Sequence, residues 1–201
     1  MYNERANCSR GKDSGRTIVR LLLCAGIGLI ILAAVLFGNN FYQRYLTEEQ
    51  CRDILKELTL IVPEQAADVS GVWQEAGEDP AVLEVCGVSC VGILEAPFLD
   101  QAWPVASRFE QKVHIPCVAK REKVTEAIII EDTKSGNCFD CFTPGDEGKT
   151  VCFTDVCGYM YTYVITDVLK ESNNIADEAD LIISTRDQFT GETVNICCRQ
   201  E

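Results

Sequence analysis

An uncharged apolar run near the start of the chain constrains its fold more than any other feature of the sequence. The run, LLLCAGIGLIILAAVLFG at residues 21–38, is 18 residues long, and Ile18 and Val19 extend its apolar character across Arg20. About 18 to 20 apolar residues span the hydrocarbon core of a bilayer as a helix. The sequence therefore predicts a transmembrane helix at 21–38 and a separate domain after it.

The charges on either side of this run predict its orientation. Residues 1–20 contain five basic and two acidic side chains. A basic flank stays in the cytoplasm under the positive-inside rule, so the rest of the chain faces outward. A cleaved signal peptide is the alternative, but the run is longer than a usual signal-peptide core and no small-residue cleavage motif follows it. We expect an uncleaved signal anchor in a single-pass protein of the cell membrane, with a cytoplasmic N-terminus and an extracellular C-terminal domain.

The charge of the whole chain restricts its partners. The net charge is −13. An acidic surface of this kind argues against binding nucleic acid and against docking on anionic lipid. Its simplest role is to keep the domain soluble.

The chain contains 12 cysteines, and ten of them follow the apolar run. Outside a membrane, several are expected to pair as disulfides, whereas a strictly anaerobic setting would leave them as thiols; the connectivity stays open. Cys138 and Cys141, in CFDC, have the spacing of redox and zinc sites. The βαβ context of a redox motif is missing, and the other two zinc ligands do not stand at a standard spacing. We expect a disulfide or two thiols there and no cofactor, with metal binding and redox catalysis as alternatives.

Behind the anchor, the pattern changes from helix to strand. TEEQCRDILKELTLIV places Cys51, Ile54 and Leu58 at helical spacing, so residues 39–82 are predicted to hold a short amphipathic helix and an acidic connector. Residues 83–201 predict an all-β domain, a closed barrel or a sandwich. Its short, β-branched segments are LEVCGVSCVGILEAP, KVHIPCV, KVTEAIIIED, KTVCFTDVCGYMYTYVITDVLK, DLIIST and ETVNICC.

Four motifs in these strands resemble those of sortases, in particular clostridial, class B-like sortases. They are GILEAPFLDQAWPVAS at 92–107, HIPC at 114–117, PGDEGKTVCFTDVCGYMYTYVI at 144–165, and DLIIST at 180–185 with its partner, the final strand. The resemblance covers residues 18–201. It implies a closed eight-stranded β-barrel outside a Gram-positive cell, after the transmembrane helix and the short amphipathic helix. Sortases cleave a C-terminal sorting signal and join the protein to the cell wall or to a pilin.

The resemblance also shows which positions should carry the transpeptidase chemistry. That chemistry needs a cysteine nucleophile, a histidine acid and an arginine that stabilises the oxyanion. The matching positions are Arg186 for the cysteine, Thr133 for the histidine and Thr193 for the arginine. The single histidine, His114, is three positions from Cys117, which places their side chains on opposite faces of a regular strand. By the family's mechanism, the chain is expected to be inactive.

These replacements suggest a binding role. Glu131 and Asp132 come directly before Thr133, so one of these carboxylates is predicted to pair with Arg186 across the groove. Our first hypothesis is a membrane-anchored, non-catalytic sortase-like protein that binds a sorting-signal peptide, a pilin or an active sortase. One alternative is an active cysteine transpeptidase whose catalytic residues stand elsewhere. Another is an exported redox or metal-binding protein that uses its cysteines.

Overall fold

A single long helix forms the N-terminal part of the protein. In the computed structural model it is α1, Arg10–Ile61, 52 residues long. Its segment Ile18–Gly38 is exposed and, by length and composition, can cross a membrane. The predicted transmembrane and amphipathic helices are thus parts of one helix, since residues 39–46 contain no proline to interrupt its hydrogen bonds. The structure describes residues 10–63, 67–68, 80–109, 114–119, 127–132, 138–170, 179–186 and 190–201.

The chain forms two compact units, Met1–Tyr42 and Gln43–Glu201. The second unit contains the last part of α1 together with the strands. Cys51, Ile54 and Leu58 of α1 are buried against the strands, as their helical spacing predicts. The strands of this unit are β1 (Ala67–Asp68), β2 (Leu83–Val85), β3 (Val88–Ala96), β4 (Gln101–Ala106), β5 (Cys117–Val118), β6 (Ile128–Glu131), β7 (Thr150–Asp155), β8 (Tyr159–Lys170), β9 (Leu181–Arg186) and β10 (Thr193–Gln200).

Eight of these strands close into a ring. Hydrogen-bonded neighbours follow the order β3, β4, β5, β6, β9, β10, β8 and β7, and β7 pairs with β3 again. The β4–β5 and β6–β9 pairs are parallel, and the other pairs of the ring are antiparallel. β1 and β2 lie outside the ring, on β8 and β3. The predicted closed eight-stranded β-barrel is therefore confirmed.

Two apolar clusters stabilise this unit. The first fills the barrel, because alternate residues of each strand point inward; Val151 and Phe153 of β7 and Tyr163 of β8 are among its most buried members. The second lies between α1 and the outer side of β2 to β5. The end of α1 therefore covers one side of the barrel, the outer side of β2 to β5.

Candidate functional site

The end of β9 places Arg186 on the outer side of the barrel. Arg186 is the last residue of β9 and is exposed, whereas Thr185 before it is buried. Thr193, the first residue of β10, is its partner in the antiparallel register. Directly opposite residues of paired strands point to the same face. The structure thus brings together two of the three positions that the sequence resemblance predicts to match the catalytic residues of sortases; the third, Thr133, lies outside the described residues.

A row of polar side chains crosses the outer face at the level of Ser184, two residues before Arg186 in β9. In the parallel pair of β6 and β9, Glu131 is level with Ser184, and in the antiparallel pair of β9 and β10, Ser184 is level with Asn195. Glu131 is exposed and on the same face as Arg186. The spacing of strands and the rise per residue separate their Cα atoms by about 8 Å. We call the surface formed by Glu131, Ser184, Arg186, Thr193 and Asn195 the polar face.

Asp132 does not belong to the polar face. Its backbone N–H donates to the Ser184 carbonyl at 2.8 Å and so continues the β6–β9 ladder by one residue. Because successive residues of a strand point to opposite sides, its side chain is on the inner side, with Thr185. The Asp132 carboxylate accepts hydrogen bonds from the Thr185 hydroxyl at 3.3 Å and from the Cys138 N–H at 2.8 Å. Of the two carboxylates predicted to pair with Arg186, only Glu131 is on the right face, and that pairing stays a prediction.

Asn195 is the buried member of the polar face. Its side chain is 5% exposed, and its amide makes no hydrogen bond within the part of the chain that the structure describes. A buried amide without a partner loses the hydrogen bonds that water would give it. The described residues therefore leave this amide unused on the same face as Arg186. Asn195 is not among the site residues predicted from the sequence, although an asparagine within the apolar strand VNICC is a visible signal.

Two cysteines near this surface, Cys117 and Cys198, have raised pKa values. Burial, and then the charges of Glu131 and Asp132, raise the pKa of Cys117 to about 11. Cys198 is fully buried in the barrel, and this burial raises its pKa as well. A cysteine nucleophile needs the opposite shift, toward a thiolate at neutral pH. Neither thiol has the lowered pKa that a cysteine nucleophile requires.

The other candidates from the sequence lie elsewhere. The backbone N–H of His114 donates to the side-chain carbonyl of Gln50 at 3.2 Å, so the histidine is held beside α1. Cys138 and Cys141 are in a turn after β6, where the Cys141 thiol donates to the Cys138 carbonyl at 3.7 Å. Their sulfurs are not bonded: all eleven described cysteines are thiols. Within the described residues, no three His, Cys, Asp or Glu side chains are grouped to hold a metal.

The protein thus combines a closed eight-stranded barrel, an apolar N-terminal helix and a polar face where β6, β9 and β10 meet. The sequence matches no protein-family model and no curated protein. Among solved structures, it is similar to sortase C1 from Streptococcus agalactiae, with a TM-score of 0.45 and 12% identity over 56% of this chain and 67% of that one.

Two further solved structures cover more of the chain. A sortase D5 transpeptidase from Clostridium perfringens has a TM-score of 0.46 and 8% identity, over 78% of this chain and 99% of that one. A lid mutant of sortase A from Corynebacterium diphtheriae has a TM-score of 0.44 and 9% identity, over 78% and 94%. All three similarities have TM-scores below 0.5 and identities of 12% or less, so the function has to be argued from the polar face itself.

Proposed function

We propose that this protein is a membrane-anchored, sortase-like barrel that binds a peptide segment on the polar face and does not cleave it. The bound segment is a sorting signal or an extended segment of a pilin or of an active sortase. α1 anchors the barrel to the membrane, with the basic N-terminus in the cytoplasm and the barrel outside. The observation that carries the proposal is the exposed Arg186 on the same face as the exposed Glu131, with the buried amide of Asn195 beside them making no hydrogen bond to any described residue.

The groups of the polar face match the backbone and termini of a peptide. A peptide offers N–H donors and carbonyl acceptors, and the Asn195 amide supplies one acceptor and two donors. Arg186 supplies donors only and can hold a carboxylate or carbonyl with two parallel hydrogen bonds. Glu131 supplies an acceptor on the same face. An extended segment along β9 can therefore meet both charges and the amide together.

The same groups do not support covalent catalysis. Formation of a thioacyl enzyme requires a thiolate at the scissile carbonyl. Arg186 stands at the nucleophile's position and has no lone pair to attack with. The nearby thiols of Cys117 and Cys198 have raised pKa values. Binding without turnover is the function that these residues support best.

A binding assay with two variants of opposite expected behaviour tests the proposal. The full chain in detergent is titrated against fluorescent sorting-signal peptides, and anisotropy gives the Kd. Arg186→Ala removes charge-assisted hydrogen bonds worth about 1.5–3 kcal/mol, so affinity should fall about 10- to 150-fold. Arg52→Ala, which removes an exposed arginine of α1, is the matched control and should bind like the natural chain.

Asn195→Leu makes the test sharper, because its two effects have opposite signs. Replacing a buried amide that bonds to no described residue by an apolar side chain of similar size should raise the thermal stability. It should also weaken peptide binding, since the ligand loses its partner. If neither Arg186→Ala nor Asn195→Leu changes the Kd of any bound peptide, the polar face is not the binding surface.

A further inference from the structure

Two thiols that are far apart in the sequence meet at the junction of α1 and the barrel. Cys51 is on α1, and Cys138 begins the turn after β6. A side-chain hydrogen bond with Cys51 raises the pKa of the Cys138 thiol. Cys51 is buried, and both side chains pack in the cluster between α1 and the outer side of β2 to β5. The contact therefore joins the membrane-proximal helix to the barrel.

The turn that carries Cys138 is held in a fixed position. Phe139 packs edge-on against Trp103 of β4, with ring centroids 5.2 Å apart. The Cys138 N–H donates to Asp132 at 2.8 Å. Cys141, the other cysteine of CFDC, donates its S–H to the Cys138 carbonyl. The Cys141 thiol is thus directed to the backbone of Cys138, whereas the Cys138 thiol interacts with Cys51.

We propose that Cys51 and Cys138 form a disulfide that ties α1 to the turn after β6. The step is a two-electron oxidation in which two S–H bonds break and one S–S bond forms. The two electrons and two protons reduce the disulfide of a thiol–disulfide oxidant to two thiols. This inference does not depend on what the polar face binds.

The position of the Cys51–Cys138 disulfide in the fold determines at which stage of folding it forms and how it stabilises the protein. The hydrogen bond with Cys51, then burial and Asp132, raise the pKa of Cys138, so the folded thiol is a poor nucleophile. The bond therefore forms while the exported domain folds, before the cluster closes. A disulfide stabilises mainly by restricting the unfolded chain, and more so when it closes a long loop. It would also fix the turn whose N–H orients Asp132, beside the polar face.

Peptide mapping of the full chain tests the proposal directly. The chain is purified from an oxidising compartment or refolded with oxidised glutathione, free thiols are blocked, and peptides are analysed with and without reductant. We expect a linked peptide pair containing Cys51 and Cys138. The melting temperature should fall by about 5–15 °C on reduction.

Variants assign this shift to the bond. Cys51→Ala and Cys138→Ala should each abolish the reductant-dependent shift, and Cys141→Ala, the matched control in the same turn, should keep it. The mapping of the natural chain decides the question even if a variant does not fold. Two results would overturn the proposal: a Cys138–Cys141 bond, or blocking of both Cys51 and Cys138 as free thiols after treatment with the oxidant.

Discussion

Removal of the Asp132 carboxylate should destabilise the barrel, because this side chain joins three separate segments. It connects the end of β6 with Thr185 of β9 and with the turn that begins at Cys138. The 2.8 Å bond from a backbone N–H to a carboxylate is worth about 1.5–3 kcal/mol, and the 3.3 Å bond from a hydroxyl about 0.5–1 kcal/mol. Asp132→Ala should therefore lower the free energy of unfolding by about 2–4 kcal/mol.

Thermal unfolding of the full chain in detergent, under reducing conditions, measures this effect. For a unit of this size, 1 kcal/mol corresponds to about 2–4 °C, so Asp132→Ala should lower Tm by about 5–15 °C. Asp132→Asn keeps a side-chain carbonyl oxygen and should lose less. Glu131→Ala is the matched control, since Glu131 is the neighbouring acidic residue, and an exposed substitution usually changes stability by less than about 0.5 kcal/mol. Equal Tm values for Asp132→Ala and Glu131→Ala would refute the reasoning.

Two further predictions concern the barrel's packing and its thiols. Gly92→Ala should lower the free energy of unfolding in urea by about 1–3 kcal/mol, because an added Cβ would lie 2.2 Å from the Thr154 carbonyl oxygen. Gly145→Ala is the control and should be close to neutral, because its Cβ would meet nothing nearer than 3.8 Å. Equal urea midpoints for the two variants would contradict this account. Folding raises the pKa of Cys117 from 9.0 to about 11, so its contribution to stability is fully present below pH 9 and is lost as the pH rises to about 11. The urea midpoint should fall over this range, and Cys117→Ala should make the fall shallower; an unchanged slope would show that Cys117 does not contribute.

The barrel could be predicted from the sequence because local pattern and motif order agree. Alternation in β7 and β8 identifies inward-facing residues such as Phe153 and Tyr163, and each is buried as that alternation requires. The order of the sortase-like motifs then selects a closed barrel over a sandwich. The apolar run at 21–38 predicts a helix by itself. Its continuity with the helix that carries Leu58 could not be predicted, because no local signal distinguishes one long helix from two short ones.

The candidate site was predictable only in part. The order of the motifs places Arg186 and Thr193 at related positions, and the strand register brings them opposite each other. The difference between Glu131 and Asp132 depends on which residue of β6 points inward, and two adjacent acidic residues do not reveal it. The contact of Cys51 with Cys138 depends on how α1 packs on the barrel. No spacing rule connects two cysteines through tertiary packing.

The most direct test of the central claim is the fate of a bound peptide. The full chain is incubated under reducing conditions with a sorting-signal peptide that it binds, and the intact masses of chain and peptide are measured over time. The account predicts that the peptide is recovered uncleaved, that the mass of the chain does not change, and that Arg186→Ala reduces the amount of peptide bound. A chain that gains the mass of the acyl fragment while the rest of the peptide is released would contradict it and show that a working nucleophile is present.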